Sequence, residues 1–143
     1  MRPKLRLAIA LICVTTLMTN ITYGQTSANQ DTTNWPKDKD AVVSDKKNHK
    51  ILLENDTVRV LQVTILPGEK EAIHYHQWPS VLYVMEGGDF IDRDAQGNVI
   101  FDSRKTPLPK PPTTLWTSPE APHAIENLSK TQTIRIIRIE IKK

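Results

Sequence analysis

From residue 51 onward, turn signals cut the chain into short apolar runs, and that punctuation limits the fold more than any other feature. Ile51-Leu52-Leu53-Glu54 stops at Asn55-Asp56, residues 57–66 stop at Pro67-Gly68, and Ser80-Val81-Leu82-Tyr83-Val84-Met85 stops at Glu86-Gly87-Gly88. The runs are rich in β-branched residues and show no helical periodicity, so they read as strands. Residues 89–92 and 98–102 flank Arg93-Asp94-Ala95-Gln96-Gly97, a hairpin signal. Residues 106–112 carry four prolines and cannot form a central strand. Further runs cover residues 113–117, 122–128 and 131–141. Eight or nine short strands predict an all-β domain, either a sandwich or a closed barrel. Within residues 57–66 the apolar phase switches between Val60 and Leu61, which predicts a bulge or a strand buried on both faces.

The first segment has a different texture. Arg2, Lys4 and Arg6 precede an apolar run over residues 7–18, and Gly24 follows a polar stretch. That layout is a secretory signal peptide over residues 1–24, too short in its apolar part to span a membrane. Its removal also changes the charge balance. Three of the 19 basic residues lie there and no acid does, so the remainder balances at 16 and 16. A neutral chain gives no case for nucleic acid or an anionic membrane as partner. Cys13, the single cysteine, falls inside the leader, leaving an exported domain, periplasmic or secreted, with no disulfide. Residues 25–47 are polar and read as a flexible spacer, with Trp35 and Val42-Val43 as its only docking candidates. The folded domain then spans residues 48–143.

Chemistry concentrates after the Pro67-Gly68 turn. His74 and His76 are two residues apart, so a strand aims both imidazoles to one face and Tyr75 to the other. Two convergent imidazoles are half of a site for iron, nickel, copper or zinc. A third histidine, His123, opens the run at residues 122–128. His49 is expected to be a solvated residue at a strand entry. By alternation Ser80, Leu82, Val84 and Ile125 face inward with the histidines, and of these only Ser80 is polar. Arg135 and Arg138 are expected to point outward. Trp78 either lines the mouth of the barrel or caps its core.

The spacing of these residues resembles the cupin superfamily. Gly68, five residues, His74, one residue, His76, three residues, Ser80, six residues and Gly87 reproduce its first motif, and His123, three residues and Asn127 the end of its second. The run Trp78-Pro79-Ser80-Val81-Leu82-Tyr83-Val84 is similar to that of small single-domain cupins. The resemblance implies a jelly-roll β-barrel holding one divalent transition metal through His74, His76 and His123. Iron is favoured, with nickel, zinc, copper or manganese as alternatives. Two departures stand out: Ser80 replaces the usual glutamate ligand, and Glu120 aligns with a glycine of the second motif. A site of neutral imidazoles alone keeps the full charge of the cation and so favours an anionic or chelating substrate. Ser80 is then expected to hydrogen-bond a metal-bound ligand or water.

The expected function is a metal-dependent enzyme on a small molecule, dioxygenase-like or an isomerase of a sugar acid. The want of inward acids leaves no catalytic residue to assign and favours chemistry carried by the metal. The alternatives are a non-catalytic small-molecule or sugar-binding module, and an interaction protein that forms a homodimer through its edge strands. Asp92, Asp94 and Gln96-Gly97 begin like a calcium loop, but Ser103 stands where its closing glutamate would be, so the hairpin reading holds.

Overall fold

The computed structural model describes residues 32–142, and the leader expected over residues 1–24 lies outside the described residues. A 3-10 turn (Lys37–Lys39) and a short helix α1 (Ala41–Ser44) precede the strands. These are β1 (His49–Glu54), β2 (Val58–Ile65), β3 (His74–His76), β4 (Ser80–Glu86), β5 (Phe90–Asp94), β6 (Val99–Asp102), β7 (Thr113–Thr117), β8 (Glu120–Asn127) and β9 (Ile134–Ile141). They form two antiparallel sheets, ordered β1-β2-β9-β4-β7 and β3-β8-β5-β6. The architecture is the all-β jelly roll.

Backbone geometry is fixed at a few turns. Gly68 has φ +73°, a left-handed conformation open to glycine, and it reverses the chain ahead of β3. Gly97 at φ +86° closes the β5–β6 hairpin, where Asp94 Oδ1 accepts the amides of Gln96 and Asn98. Asn127, the last residue of the His-x3-Asn spacing, is fully buried. Its Nδ2 donates to the carbonyls of Ile65 at 3.0 Å and Gln132 at 2.8 Å, tying β8 to β2 and to the approach of β9. It is a strut, not a ligand.

The apolar phase of β2 does not switch. Arg59, Leu61, Val63 and Ile65 are all buried, while the residues between them are half-buried. The irregularity lies on the partner strand: Ile51 pairs with Leu61 and Leu53 with Val60, leaving Leu52 as the extra residue of a bulge. Sequence phase failed because a buried arginine sits among the inward apolar positions. Leu61, Val63, Ile65 and Ile134 form the core, with Val42, Phe90, Ile125 and Ile136 packed against it. Burying each large aliphatic side chain stabilises the fold by about 1.5–3 kcal/mol.

The spacer expected over residues 25–47 is ordered and packed from the 3-10 turn onward. Ala41 is fully buried, and Trp35 lies against Tyr75 with ring centroids 5.0 Å apart. Asp40 caps α1 by accepting the amide of Val42 at 3.1 Å, and its carboxylate pairs with Arg59 at 3.0 Å. A polar composition misled here because a few apolar residues, Trp35, Ala41 and Val42, are enough to dock the segment once Asp40 and Asp45 add hydrogen bonds and charge.

Candidate metal centre

β3 is short, and all three of its residues are buried. It presents His74 and His76 to β8, where His74 stands directly opposite His123 in the register. Ring centroids are 4.8 Å apart for His74 and His123, 5.0 Å for His74 and His76, and 6.0 Å for His76 and His123. The structure therefore brings the three expected histidines together, none more than 4 % exposed.

His49 joins them and is not solvated. It is 4 % exposed, with its ring 4.5 Å from that of His74 and 5.2 Å from that of His76. The arm containing α1 delivers it: Asp45 accepts the amide of Ala72 and binds the His49 ring, so this arm is pinned beside β3. Three overlapping donor sets result among the described residues, each with ligand atoms within 4.8 Å of one another. Two contain the expected histidines: His49, His74 and His76, and His76, Glu120 and His123; the third is Asp45, His49 and Glu71. The expected three-histidine set is divided between the first two and joined at His76.

All four rings are oriented in one way. Nδ1 of His74 donates to the Ala72 carbonyl at 2.8 Å, and that of His76 to Glu140 Oε1 at 2.7 Å. Nδ1 of His123 donates to Asp92 Oδ1 at 3.0 Å, and that of His49 to Asp45 Oδ2 at 3.1 Å. Each acceptor is an oxygen, so each Nδ1 carries a proton, and in the neutral ring Nε2 keeps its lone pair. Fixing the tautomer through an outer oxygen is how proteins prepare imidazole ligands. Nε2 of His123 is buried without a protein partner. A cation would satisfy it, and the donor chemistry suits a borderline transition metal.

Charge reinforces this. Burial, with His123 and His49 nearby, pushes His74 down to about 2. Burial and the Arg138 guanidinium also hold His76 well below the ordinary histidine range. Both rings are neutral, the form that binds metal. His123 is raised: burial opposes protonation, but its hydrogen bond to Asp92 and the charge of Glu120 outweigh it. Burial pushes Glu71 up to about 7, against the attraction of His49 and His123. Its Oε1 lies 3.8 Å from His49 Nε2, beyond hydrogen-bond range, while Oε2 accepts the amide of Ile125 at 3.1 Å.

The interior is thus rich in acids, contrary to the expectation from alternation. Glu71, Asp92, Glu120 and Glu140 all border the histidines, and Glu140 is fully buried. Arg138 is also inside, 4 % exposed, with Nη1 donating to Glu120 Oε2 at 2.5 Å. Alternation within β9 puts Arg138 and Glu140 on the inward side with Ile134 and Ile136. The expectation that both arginines point outward hid that signal. Arg135 does lie toward solvent, paired with Glu86 at 3.4 Å.

The remaining expected pocket residues disperse. The Ser80 hydroxyl is fully buried but donates to the Trp78 carbonyl at 3.0 Å, so its proton is committed to the backbone. Trp78 has the Arg59 guanidinium and the Lys142 ammonium 4.8 and 5.2 Å from its ring, which makes it a cation-covered cap. Leu82 is half-buried between Leu115 and Arg138 in the sheet, and Ile125 packs on the apolar core. Val84 lines a cavity of about 920 Å³ under the proline-dense connection, bordered by Phe90, Leu108, Pro111 and Leu115 rather than by histidines.

No family model matches the chain, and no curated protein matches it in sequence. Its structure is similar to a cupin domain from Bordetella pertussis Tohama I, with TM-score 0.54 and 22% identity over 66% of this chain and 92% of that one. An RmlC-like cupin with a double-stranded β-helix fold from Methanocaldococcus jannaschii matches at TM-score 0.48 and 11% identity, over 65% and 77% of the two chains. A polyketide cyclase from Streptomyces resistomycificus matches at TM-score 0.45 and 18% identity, over 66% and 64%.

Proposed function

Starting from a cupin fold whose interior gathers four histidines, we propose that this protein is an exported, metal-dependent enzyme acting on a small anionic or chelating molecule. The cation is a divalent transition metal, iron(II) before nickel, zinc, copper or manganese, held through His74, His76 and His123. One observation carries this reading: every ring ties Nδ1 to an oxygen, and Nε2 of His123 is buried with no partner. Histidines serving only as polar core would use both nitrogens on protein groups.

A bound cation of this kind supplies Lewis acidity or dioxygen chemistry. The chain's own residues supply the rest. Glu71, pushed up to about 7, holds or releases a proton near neutral pH within the cluster. That supports isomerisation of a sugar acid, one of the two reactions expected from the sequence, beside dioxygenation. Arg138 keeps Nε and Nη2 buried without a hydrogen bond, a fit for an anionic substrate group.

The test begins with elemental analysis of protein recovered from the compartment to which its leader directs it. Near-stoichiometric metal, lost in a His74→Ala/His76→Ala/His123→Ala variant, is the expected result. Loaded protein is then offered chelating organic anions, with oxygen uptake and exchange of solvent deuterium followed separately. Absence of turnover together with an unperturbed metal spectrum would discard the enzyme. Tight ligand binding that survives His76→Ala would replace it with a binding module.

A further inference from the structure

The first-motif position that would supply a carboxylate is occupied by Ser80, whose hydroxyl is turned to the Trp78 carbonyl. The register of β3 and β8 provides a carboxylate from elsewhere. His74 pairs with His123 but His76 pairs with Glu120, so two steps along β3 match three along β8. The extra residue falls at Ala121-Pro122, and Pro122 has no amide to give a regular ladder. In an unbroken strand, alternation from His123 would send Ala121 inward and Glu120 outward. The bulge reverses that phase: Ala121 is exposed, and the Glu120 side chain, 29 % exposed, turns to the side of His123.

We propose that Glu120 is the carboxylate ligand of this site, joining the histidine ligands beside His76 and His123 and replacing the glutamate absent at Ser80. This rests on the metal-binding reading above. The donor atoms of these three residues lie within 4.8 Å of one another, and the set includes His123, whose Nε2 is buried and unpartnered. Arg138 Nη1 holds Glu120 Oε2 at 2.5 Å, which orients the carboxylate and leaves Oε1 for a cation. Glu71 is the competing acid. Its group contains His49 and Asp45, and one of its oxygens accepts the amide of Ile125. The carboxylate also changes the expected charge of the centre, cancelling one unit that a purely imidazole site would retain.

The experiment is calorimetric titration of metal-free protein with Co²⁺ and Ni²⁺, with the visible spectrum of the Co²⁺ form as a second readout. Glu120→Gln keeps an oxygen for Arg138 and should weaken binding at least tenfold and alter the Co²⁺ bands. Glu120→Asp, which keeps the charge but shortens the reach, should fall between Glu120→Gln and the wild type. Glu71→Gln should stay within threefold of the wild type. The proposal is overturned if both Glu120 variants bind within threefold with unchanged spectra, or if Glu71→Gln alone loses affinity. A wild type that binds neither metal would remove the metal-binding reading, and this ligand with it, a result distinct from the previous two.

Discussion

The inward faces of β2 and β9 pass through two different environments. At one end Ile65 pairs with Ile134 and Val63 with Ile136; at the other Leu61 pairs with Arg138 and Arg59 with Glu140. The first end is the core on which Phe90 and Ile125 also pack. The second is an ionic lattice in which Glu140 contacts Arg59 Nε and His76 Nδ1, with Arg138 Nε at 3.6 Å. The apolar end gains from removal of surface from water. The ionic end must offset the desolvation of every charge, so its net stabilisation is small while its sensitivity to loss of one member is large. The apolar core and the ionic cluster around the histidines thus lie at different levels of one barrel.

This division should be breakable by single changes. Glu140→Ala leaves Arg59 and His76 without their shared acceptor, and should cost about 3–5 kcal/mol in urea unfolding. It should also weaken metal binding by roughly 10–100-fold, because His76 loses the group that orients it. Leu61→Ala, at the boundary, should cost about 3 kcal/mol by the same measurement. Its metal affinity should remain within threefold of the wild type; a large drop would show that the two ends are not separable.

Acid should act on the ionic end first. His74 and His76 are neutral in the fold, whereas in the unfolded chain both protonate below the ordinary value of 6.5, so stability falls as pH drops through that point. Glu71 works in the opposite sense. Raised from 4.5 to about 7, it contributes fully below 4.5 and its contribution fades as pH rises toward 7. His123, raised above 6.5, adds no slope below it. Two protons on the unfolded chain against one on the fold give a net loss of stability as pH falls from 6.5 to 4.5. Below 4.5 the opposing slope of Glu71 ends, and Glu120, held low by Arg138 and His123 against its burial, adds to the loss. Unfolding midpoints measured from pH 8 to 4 should show both the onset and the steepening. The smallest effect belongs to Ser80→Ala, which removes one hydrogen bond to a carbonyl: about 1 kcal/mol, with metal affinity unchanged.

Legibility in the sequence followed the range of the interaction. The strands, the Pro67-Gly68 turn, the β5–β6 hairpin and the pair His74 and His76 were readable because each depends on neighbours a few residues away. His49 and Glu120 were not. His49 enters the cluster only because the arm around α1 docks on β3, through Asp40 on Arg59 and Asp45 on the Ala72 amide. Glu120 faces inward only because of a bulge in a strand that begins two residues before the expected run at Pro122. Arg59 and Arg138 alternate with buried apolar residues and could have been read as inward. A general expectation that charges face solvent stood in the way.

The order of residues alone determined an all-β chain and placed two imidazoles on one strand face, since side-chain direction along a strand repeats every second position. Which acids, arginines and further histidine meet those imidazoles was decided only in three dimensions. Sheet register, one displaced residue in β8 and the docking of a polar arm are choices among long-range pairings. Their energies depend on charges brought together from distant parts of the chain, and no local pattern encodes that sum.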